Sequence, residues 1–230
     1  MINETMTLGR ESLPQARSVL VVCAHPDDES FGLGAAISTF DDSGTSTAVL
    51  CFTHGEASTL GADLGDLGLV RSEELAAAAA ELGVGDVELL HYGDGHLSDA
   101  PLDELTAHVH RMISQSAAEL LLVFDEGGIT GHADHCRATE AAVLAAREHG
   151  LAVLAWAMPD DVAAALRDEF GAPFVGRVAA QIDVTTRVDR SRQQRAIAQH
   201  VSQAPDNPVL RRRLTLQGDR EAFRWLVPPR

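Results

Sequence analysis

The sequence is poor in the features that mark membrane, disulfide-rich and nucleic-acid-binding proteins. It contains no run of about 18 apolar residues, and its polar segment 1–17 lacks the apolar stretch of a signal peptide. Its three cysteines, Cys23, Cys51 and Cys136, are too few and too widely spaced for a disulfide framework. Lysine and arginine together number 18 against 34 acidic residues, and the net charge of -16 repels nucleic acid and anionic lipid. We therefore expect a cytoplasmic protein without a nucleic-acid or membrane partner.

The rest of the composition is that of a folded domain. Hydrophobic residues make up 45% of the 230 residues, which is enough to bury one sizeable core. We expect one domain over residues 1–230, with its core at about 18–203.

Short apolar runs alternate with longer helical patterns along the chain. The predicted strands are Ser18–Cys23, Thr47–Thr53, Val87–Leu90 and Leu120–Phe124, with weaker signals at Ala152–Trp156 and Val178–Val184. The predicted helices are Ser30–Phe40, Leu69–Leu82, Leu102–Gln115, Asp134–His149, Asp160–Glu169 and Val188–Val201. This alternation predicts an α/β fold with a Rossmann-like, mainly parallel sheet and helices on both faces. Ligands of such sheets bind beyond the carboxyl ends of the strands, and a long glycine-rich loop such as Gly55–Gly68 is often functional.

A first polar motif, Ala24–Glu29 (AHPDDE), follows the first predicted strand and leads into a helix. It places His25 beside three carboxylates, and such crowding is costly unless a cation compensates. An acidic turn that only caps the helix is the alternative interpretation. A single acidic residue would support that alternative. Histidine, proline and the adjacent Asp27 and Asp28 at a strand end favour a metal or catalytic site.

A second polar motif, Gly131–His135 (GHADH), follows the strand predicted at Leu120–Phe124. His132 and His135 are three residues apart and can share one face of the helix entrance. Asp134 lies between them and can accept a hydrogen bond from an imidazole, which fixes the tautomer of that ring. On its own the motif also fits an exposed helix, but both motifs follow strands and can meet at one edge of the sheet. Imidazole and carboxylate groups suit zinc, and iron, cobalt or manganese use the same ligands.

At these two motifs the sequence resembles the PIG-L (LmbE-like) family of N-acetylglucosaminyl deacetylases. The resemblance runs from about Ser18 to Gln203. Shorter matching segments are Thr53–Glu56 (THGE), Arg71–Glu74 (RSEE), Asp94–Gly95 (DG) and His200–Gln203 (HVSQ). Two positions depart from the family pattern: Ala133, where the family usually has proline, and Arg195, where a lysine is common.

The resemblance implies a role for each matching position. The implied zinc ligands are His25, Asp28 and His135. Asp27 is implied as the general base, and His132, held by Asp134, as the acid or the group that stabilises the oxyanion. The implied substrate contacts are Arg71 and Asp94.

The implied function is zinc-dependent hydrolysis of the N-acetyl group of a small molecule that contains N-acetylglucosamine, giving acetate and a free amino sugar. The residues leave open an amidase of another conjugate, a phosphoester hydrolase with two metals, and a non-catalytic sugar-binding protein on the same scaffold. The loops carry few aromatic residues and no strong basic cluster, which disfavours a bulky apolar or heavily anionic aglycone. The short basic run Arg211–Arg213 predicts a solvated face or a contact in a homo-oligomer.

Overall fold

The central strands of the fold are apolar runs that the sequence identifies. In the computed structural model, which describes residues 11–230, β1 (Ser18–Cys23), β4 (Leu120–Phe124) and β5 (Ala152–Trp156) have the predicted bounds. Every residue of β1 and β4 is buried. Strands of a parallel sheet that is covered on both faces have this uninterrupted apolar character.

The described residues form one seven-stranded sheet in the order β3-β2-β1-β4-β5-β7-β6. The four other strands are β2 (Ser46–Thr53), β3 (Asp86–Tyr92), β6 (Val184–Arg187) and β7 (Arg220–Val227). The first five strands of this order are parallel, whereas β7 runs antiparallel to both β5 and β6. The prediction of a mainly parallel α/β sheet is therefore confirmed.

Helices cover both faces of this sheet and define two cores. The helices are α1 (Asp28–Phe31), α2 (Gly34–Asp42), α3 (Leu67–Leu82), α4 (Leu102–Ser116), the single turn α5 (Gly128–Gly131), α6 (Ala133–His149), α7 (Asp160–Phe170), α8 (Ser191–Gln199) and α9 (Pro208–Gln217). One core lies under α2, α3, α7 and α8, and the other lies under α4 and α6. Within residues 11–230, no helix is long and apolar enough to cross a membrane.

The helix predicted at Ser30–Phe40 is two helices in the structure, α1 and α2. A β-carbon on Gly32 would lie 2.3 Å from the ring of Phe124, so the chain approaches β4 closely where the two helices meet. The side-chain amide of Gln193 donates hydrogen bonds of 3.0 and 3.1 Å to the carbonyls of Ser30 and Phe31. These two carbonyls therefore accept hydrogen bonds from a side chain distant in sequence. They do not require the N–H groups of a further helical turn, so the helix can end here.

The prediction of a strand at Val178–Val184 is wrong. Residues 179–181 form a short 3-10 turn, Val178 is 52% exposed, and the strand itself begins at Val184. Its alternating burial is set by pairing with β7, which sequence patterns did not reveal. The sequence analysis also did not predict helix α9 and strand β7. Because β7 belongs to the sheet, the sheet extends beyond the expected core of 18–203.

The topology places both polar motifs at one point of the sheet edge. The chain moves outward from β1 to β2 and β3, and it then returns to add β4 on the other side of β1. The segments that follow β1 and β4 therefore diverge from a crevice at the carboxyl ends of these two strands. This switch point is the usual ligand site of open α/β sheets.

Candidate active site

Asp28 is fixed by the turn that follows β1. Its Oδ2 atom accepts hydrogen bonds from the backbone N–H groups of Ala24 and His25, at 3.1 and 2.9 Å. Its other oxygen, Oδ1, lies 3.1 Å from Nε2 of His135. Burial alone would raise the pKa of Asp28, but His135 and His25 lower it below the ordinary range of a carboxyl. Asp28 is thus an anionic group aimed at the second motif.

His25 and His135 point their ring nitrogens at each other. Nδ1 of His25 lies 3.1 Å from Nε2 of His135 and 3.7 Å from Oδ2 of Asp28. Two imidazole nitrogens at this distance need a proton or a cation between them. Donor atoms around a tetrahedral zinc ion, with bonds of about 2.0–2.2 Å, lie about 3.3 Å apart. The three side chains therefore fit a shared divalent cation.

The other nitrogen of each imidazole has its own acceptor. Nε2 of His25 lies 3.0 Å from Oδ1 of Asp94 and 3.2 Å from Oδ2 of Asp134, and Nδ1 of His135 lies 3.3 Å from the carbonyl of Gly128. Protons on these outer nitrogens leave the facing nitrogens free as ligands, an arrangement common at metal sites. Burial lowers the pKa of His25, but Asp134, Asp94 and Asp28 more than reverse this and raise it well above its ordinary value. The surroundings therefore favour a positive charge at this position.

Asp27 adjoins the ligand cluster with a different orientation. Its backbone has φ of 102°, a conformation that side-chain-bearing residues rarely adopt. Its Oδ2 atom lies 3.0 Å from the guanidinium of Arg71, and its side chain is 18% exposed. Burial raises the pKa of Asp27 to about 6, although Arg71 opposes this rise. A carboxylate with such a pKa exchanges protons readily near neutral pH, as a general base must.

Arg71 and Asp94 lie closer to the protein interior than the sequence suggested. Arg71 is 3% exposed, and besides Asp27 it donates hydrogen bonds to the carbonyls of Gly55 and Pro26. Asp94 has one oxygen at His25, while its other oxygen accepts the N–H of Ala57 at 2.9 Å. Both side chains are thus held by the protein. Their role in substrate binding stays a prediction, and the contacts point to support of the catalytic groups.

His132 is exposed and caps the N-terminus of α6. Its Nδ1 atom accepts the backbone N–H of Asp134 at 3.3 Å, and its ring stands edge-on to that of His25 at 4.9 Å between ring centres. Burial lowers the pKa of His132, and His135 and His25 lower it further. A neutral ring whose Nδ1 is an acceptor carries its proton on Nε2. His132 therefore carries its donor N–H on Nε2.

The carboxylate of Asp134 does not hold His132, contrary to the sequence-based expectation. It is fully buried and pairs with His25, and it also accepts the N–H groups of Gly95 at 2.7 Å and Leu97 at 3.1 Å. The reason is the geometry of the helix start, where Asp134 turns inward while the cap residue remains outside. Asp134 is therefore an orienting partner of a ligand candidate.

One complete ligand set emerges from the described part of the chain. A second group of three candidate ligands consists of His25, His132 and Asp134. It shares His25 with the first group, so it does not provide an independent second metal site. This geometry disfavours the phosphoester hydrolase, which would usually need two metals.

Comparison with known proteins identifies the family. The sequence model of PIG-L, GlcNAc-PI de-N-acetylase, matches residues 20–146. The chain belongs to the PIG-L family. It is 31% identical to the 1D-myo-inositol 2-acetamido-2-deoxy-alpha-D-glucopyranoside deacetylase of Salinispora arenicola, over 86% of this chain and 80% of that protein. The chain spans about half the length of several further relatives with the same name.

Solved structures share the PIG-L fold at low sequence identity. Teicoplanin deacetylase Orf2, in a zinc-inhibited form, has a TM-score of 0.68 at 18% identity and covers 90% of this chain and 97% of its own. The 4-carboxy-2-hydroxymuconate hydratase GalB of Pseudomonas putida has a TM-score of 0.69 at 20% identity, over 93% and 98%. The named PIG-L relatives are deacetylases, in agreement with the enzyme class predicted from the sequence. The hydratase shows that the fold does not fix the reaction, which must be argued from the site.

A buried polar cluster contacts Glu29 of the first motif, and the sequence did not indicate a role for it. His200 lies outside the segment matched by the family, yet its Nε2 atom contacts Oε1 of Glu29 at 2.7 Å. Burial lowers the pKa of His200, but Glu29 and Glu74 raise it to about 10, so the ring is protonated at neutral pH. The match of His200–Gln203 (HVSQ) to the family pattern was the available signal in the sequence. Only the tertiary structure shows that His200 contacts the carboxylates of Glu29 and Glu74.

Proposed function

We propose that this PIG-L protein is a divalent-metal-dependent deacetylase that hydrolyses the acetamide of an N-acetylglucosamine unit. The observation that carries the proposal is the set of three facing donor atoms, on His25, Asp28 and His135, with the carboxylate of Asp27 beside them. A zinc ion held by these three residues would lower the pKa of a bound water to about 7 and polarise the amide carbonyl. Zinc is proposed because the ligands are two imidazoles and one carboxylate.

Asp27 is proposed to carry out both proton transfers of the reaction. Asp27 accepts a proton from the attacking water, because its pKa of about 6 leaves it ionised at neutral pH. As the carbon–nitrogen bond breaks, Asp27 returns this proton to the leaving amine. Acetate and a free amino sugar are the products. Because Asp27 both accepts and returns this proton, the reaction needs no second acid.

His132 is proposed to stabilise the developing oxyanion. Its lowered pKa and its Nδ1 acceptor contact favour a neutral ring that donates from Nε2. A donor at this position acts most strongly on charge that develops in the transition state. Of the two roles that the sequence left open, the geometry thus favours the oxyanion role over that of a protonated acid.

The substrate is proposed to carry a small polar aglycone. The relative from Salinispora arenicola is named for a sugar that is joined to inositol. An inositol or a similar polyol agrees with the scarcity of aromatic residues that would bind an apolar aglycone. Cytoplasmic location and assembly into a homo-oligomer stay predictions. The free thiols of Cys23, Cys51 and Cys136 are compatible with a reducing compartment.

An amine-release assay tests the proposal. The protein is stripped of metal, reloaded with one zinc ion per chain and offered N-acetylglucosamine joined to inositol, to a second sugar and to phosphatidylinositol. All 18 basic residues are arginines, so lysine amines add no background. We expect amine release from the polar conjugates and none from the Asp27→Asn variant at the same zinc content. Absence of acetate from every conjugate at full metal occupancy would refute the proposed function.

A further inference from the structure

Glu29 connects the backbone of Asp27 to the protein interior. Although it follows the ligand candidate Asp28, its side chain is fully buried. Its Oε2 atom accepts the backbone N–H of Asp27 at 2.9 Å. Its Oε1 atom accepts the hydroxyl of Ser30 at 2.5 Å and contacts Nε2 of His200 at 2.7 Å. One carboxylate therefore links the base candidate to a histidine that is 171 residues away from Glu29 in the chain.

His200 lies between two carboxylates. It is fully buried, and its Nδ1 atom lies 3.8 Å from Oε2 of Glu74. Glu74 is itself fixed, because it accepts the N–H and the hydroxyl of Ser202 at 2.8 and 2.7 Å. The ring of Phe31 packs edge-on against His200 at 5.5 Å between ring centres. Glu29 thus contacts a buried imidazole that packs against Phe31 and lies beside Glu74.

This support is relevant because Asp27 holds an unfavourable backbone conformation. A φ of 102° is uncommon for a residue with a side chain, and such strained conformations persist where surrounding contacts stabilise them. The carbonyl of Asp27 accepts the N–H groups of Ser30 and Phe31 at 3.0 and 2.6 Å, and its N–H donates to Glu29. Rotation of this peptide would turn the Asp27 carboxylate away from Arg71 and from the ligand cluster.

We propose that His200 is a positioning residue for the general base. Through Glu29 it keeps the peptide of Asp27 in the left-handed conformation, and the carboxylate of Asp27 stays aligned with the attacking water. The inference rests on the proposed function of Asp27. It adds a requirement from the C-terminal part of the chain, beyond residues 20–146 that the family sequence model matches.

Two amide variants separate positioning from charge. The Nε2 contact of His200 can be reproduced by the amide of His200→Gln, whereas the shorter amide of His200→Asn reaches only the Nδ1 position. Both variants remove the charge. We expect His200→Asn to lower kcat about 10- to 100-fold, because a shift of about 1 Å in a reacting group costs about that much. His200→Gln should stay within about threefold of the unaltered protein, and neither variant should change KM or the zinc content.

Three further measurements separate this positioning role from a general folding defect. Glu221→Gln disrupts another buried ion pair, with Arg190, far along the chain, and it should lower the melting temperature without changing kcat. Amide exchange should show faster opening of residues 25–29 in His200→Asn only. A double variant that combines His200→Asn with Glu29→Asp should lose no more activity than the stronger of the two single variants. Both changes act through the same contact between His200 and Glu29.

The outcomes distinguish this inference from the function on which it rests. Amine release by the unaltered protein together with unchanged kcat and unchanged exchange in His200→Asn would overturn the positioning role alone. Equal losses in His200→Gln and His200→Asn would overturn it too, since charge and not geometry would then matter. A metal-loaded unaltered protein that releases no amine would refute the function, whereas the exchange measurement still reports whether His200 holds the turn.

Discussion

Replacement of Arg71 by methionine separates a role in catalysis from a role in sugar binding. The guanidinium has three acceptors: Oδ2 of Asp27 at 3.0 Å and the carbonyls of Gly55 and Pro26. Methionine retains an unbranched apolar stem but offers neither charge nor donors. Removing one partner of a buried ion pair costs about 3–5 kcal/mol of folding stability. We therefore expect a clearly lower melting temperature, and Arg71→Lys, which retains the charge but not the donor geometry, is the matched control.

The effect on the base has a definite sign. Arg71 holds down the pKa of Asp27, which burial raises to about 6. An adjacent arginine usually lowers the pKa of a carboxyl by about 1–3 pH units. Without the guanidinium the pKa of Asp27 should therefore rise by about this amount. Because the base acts when ionised, the acidic limb of the kcat/KM profile moves to higher pH by the same amount. A bound cation lowers the pKa of Asp27 in both proteins, so the difference between the two limbs is the quantity to measure.

The assay is amine release by zinc-loaded protein across pH, with a sugar conjugate and a minimal acetamide as parallel substrates. We expect Arg71→Met to lose the same factor on both substrates, to recover activity at high pH and to retain its zinc. Arg71→Lys should keep the limb near its original pH. A uniform loss at every pH would show that Arg71 does not set the ionisation of Asp27. A larger loss on the sugar than on the acetamide would return Arg71 to the substrate contacts that the sequence suggested.

Two other predictions follow from the same contacts. Asp27→Asn should retain zinc by elemental analysis and lower turnover about 10²- to 10⁴-fold, and near-normal turnover would place the base elsewhere. Asp134→Asn should weaken zinc affinity about 10- to 100-fold in a competition titration with a chelator, because it replaces one of the two carboxylates that orient His25 by a neutral amide. The same variant should keep most of its turnover at saturating zinc, and a turnover loss there would mean that Asp134 acts on His132 after all.

The sequence alone determined the central strands and the chemistry of the site. β1, β4 and β5 could be bounded because strands buried on both faces are continuous apolar runs. The two motifs could be assigned to one sheet edge because both follow strands of a parallel sheet. Residue type, spacing and position at a strand end sufficed to indicate a cation site.

Only the tertiary structure decided what lies beside each functional group. Asp134 is two residues from His132 but pairs with His25, and Arg71 supports Asp27 from the interior. β7 and the contact of His200 with Glu29 depend on segments distant in the chain, for which local periodicity carries no information. A sequence pattern specifies which face a side chain occupies. Its partner is set by how elements far apart in the chain pack together, since hydrogen bonds and ion pairs require contact within a few ångströms.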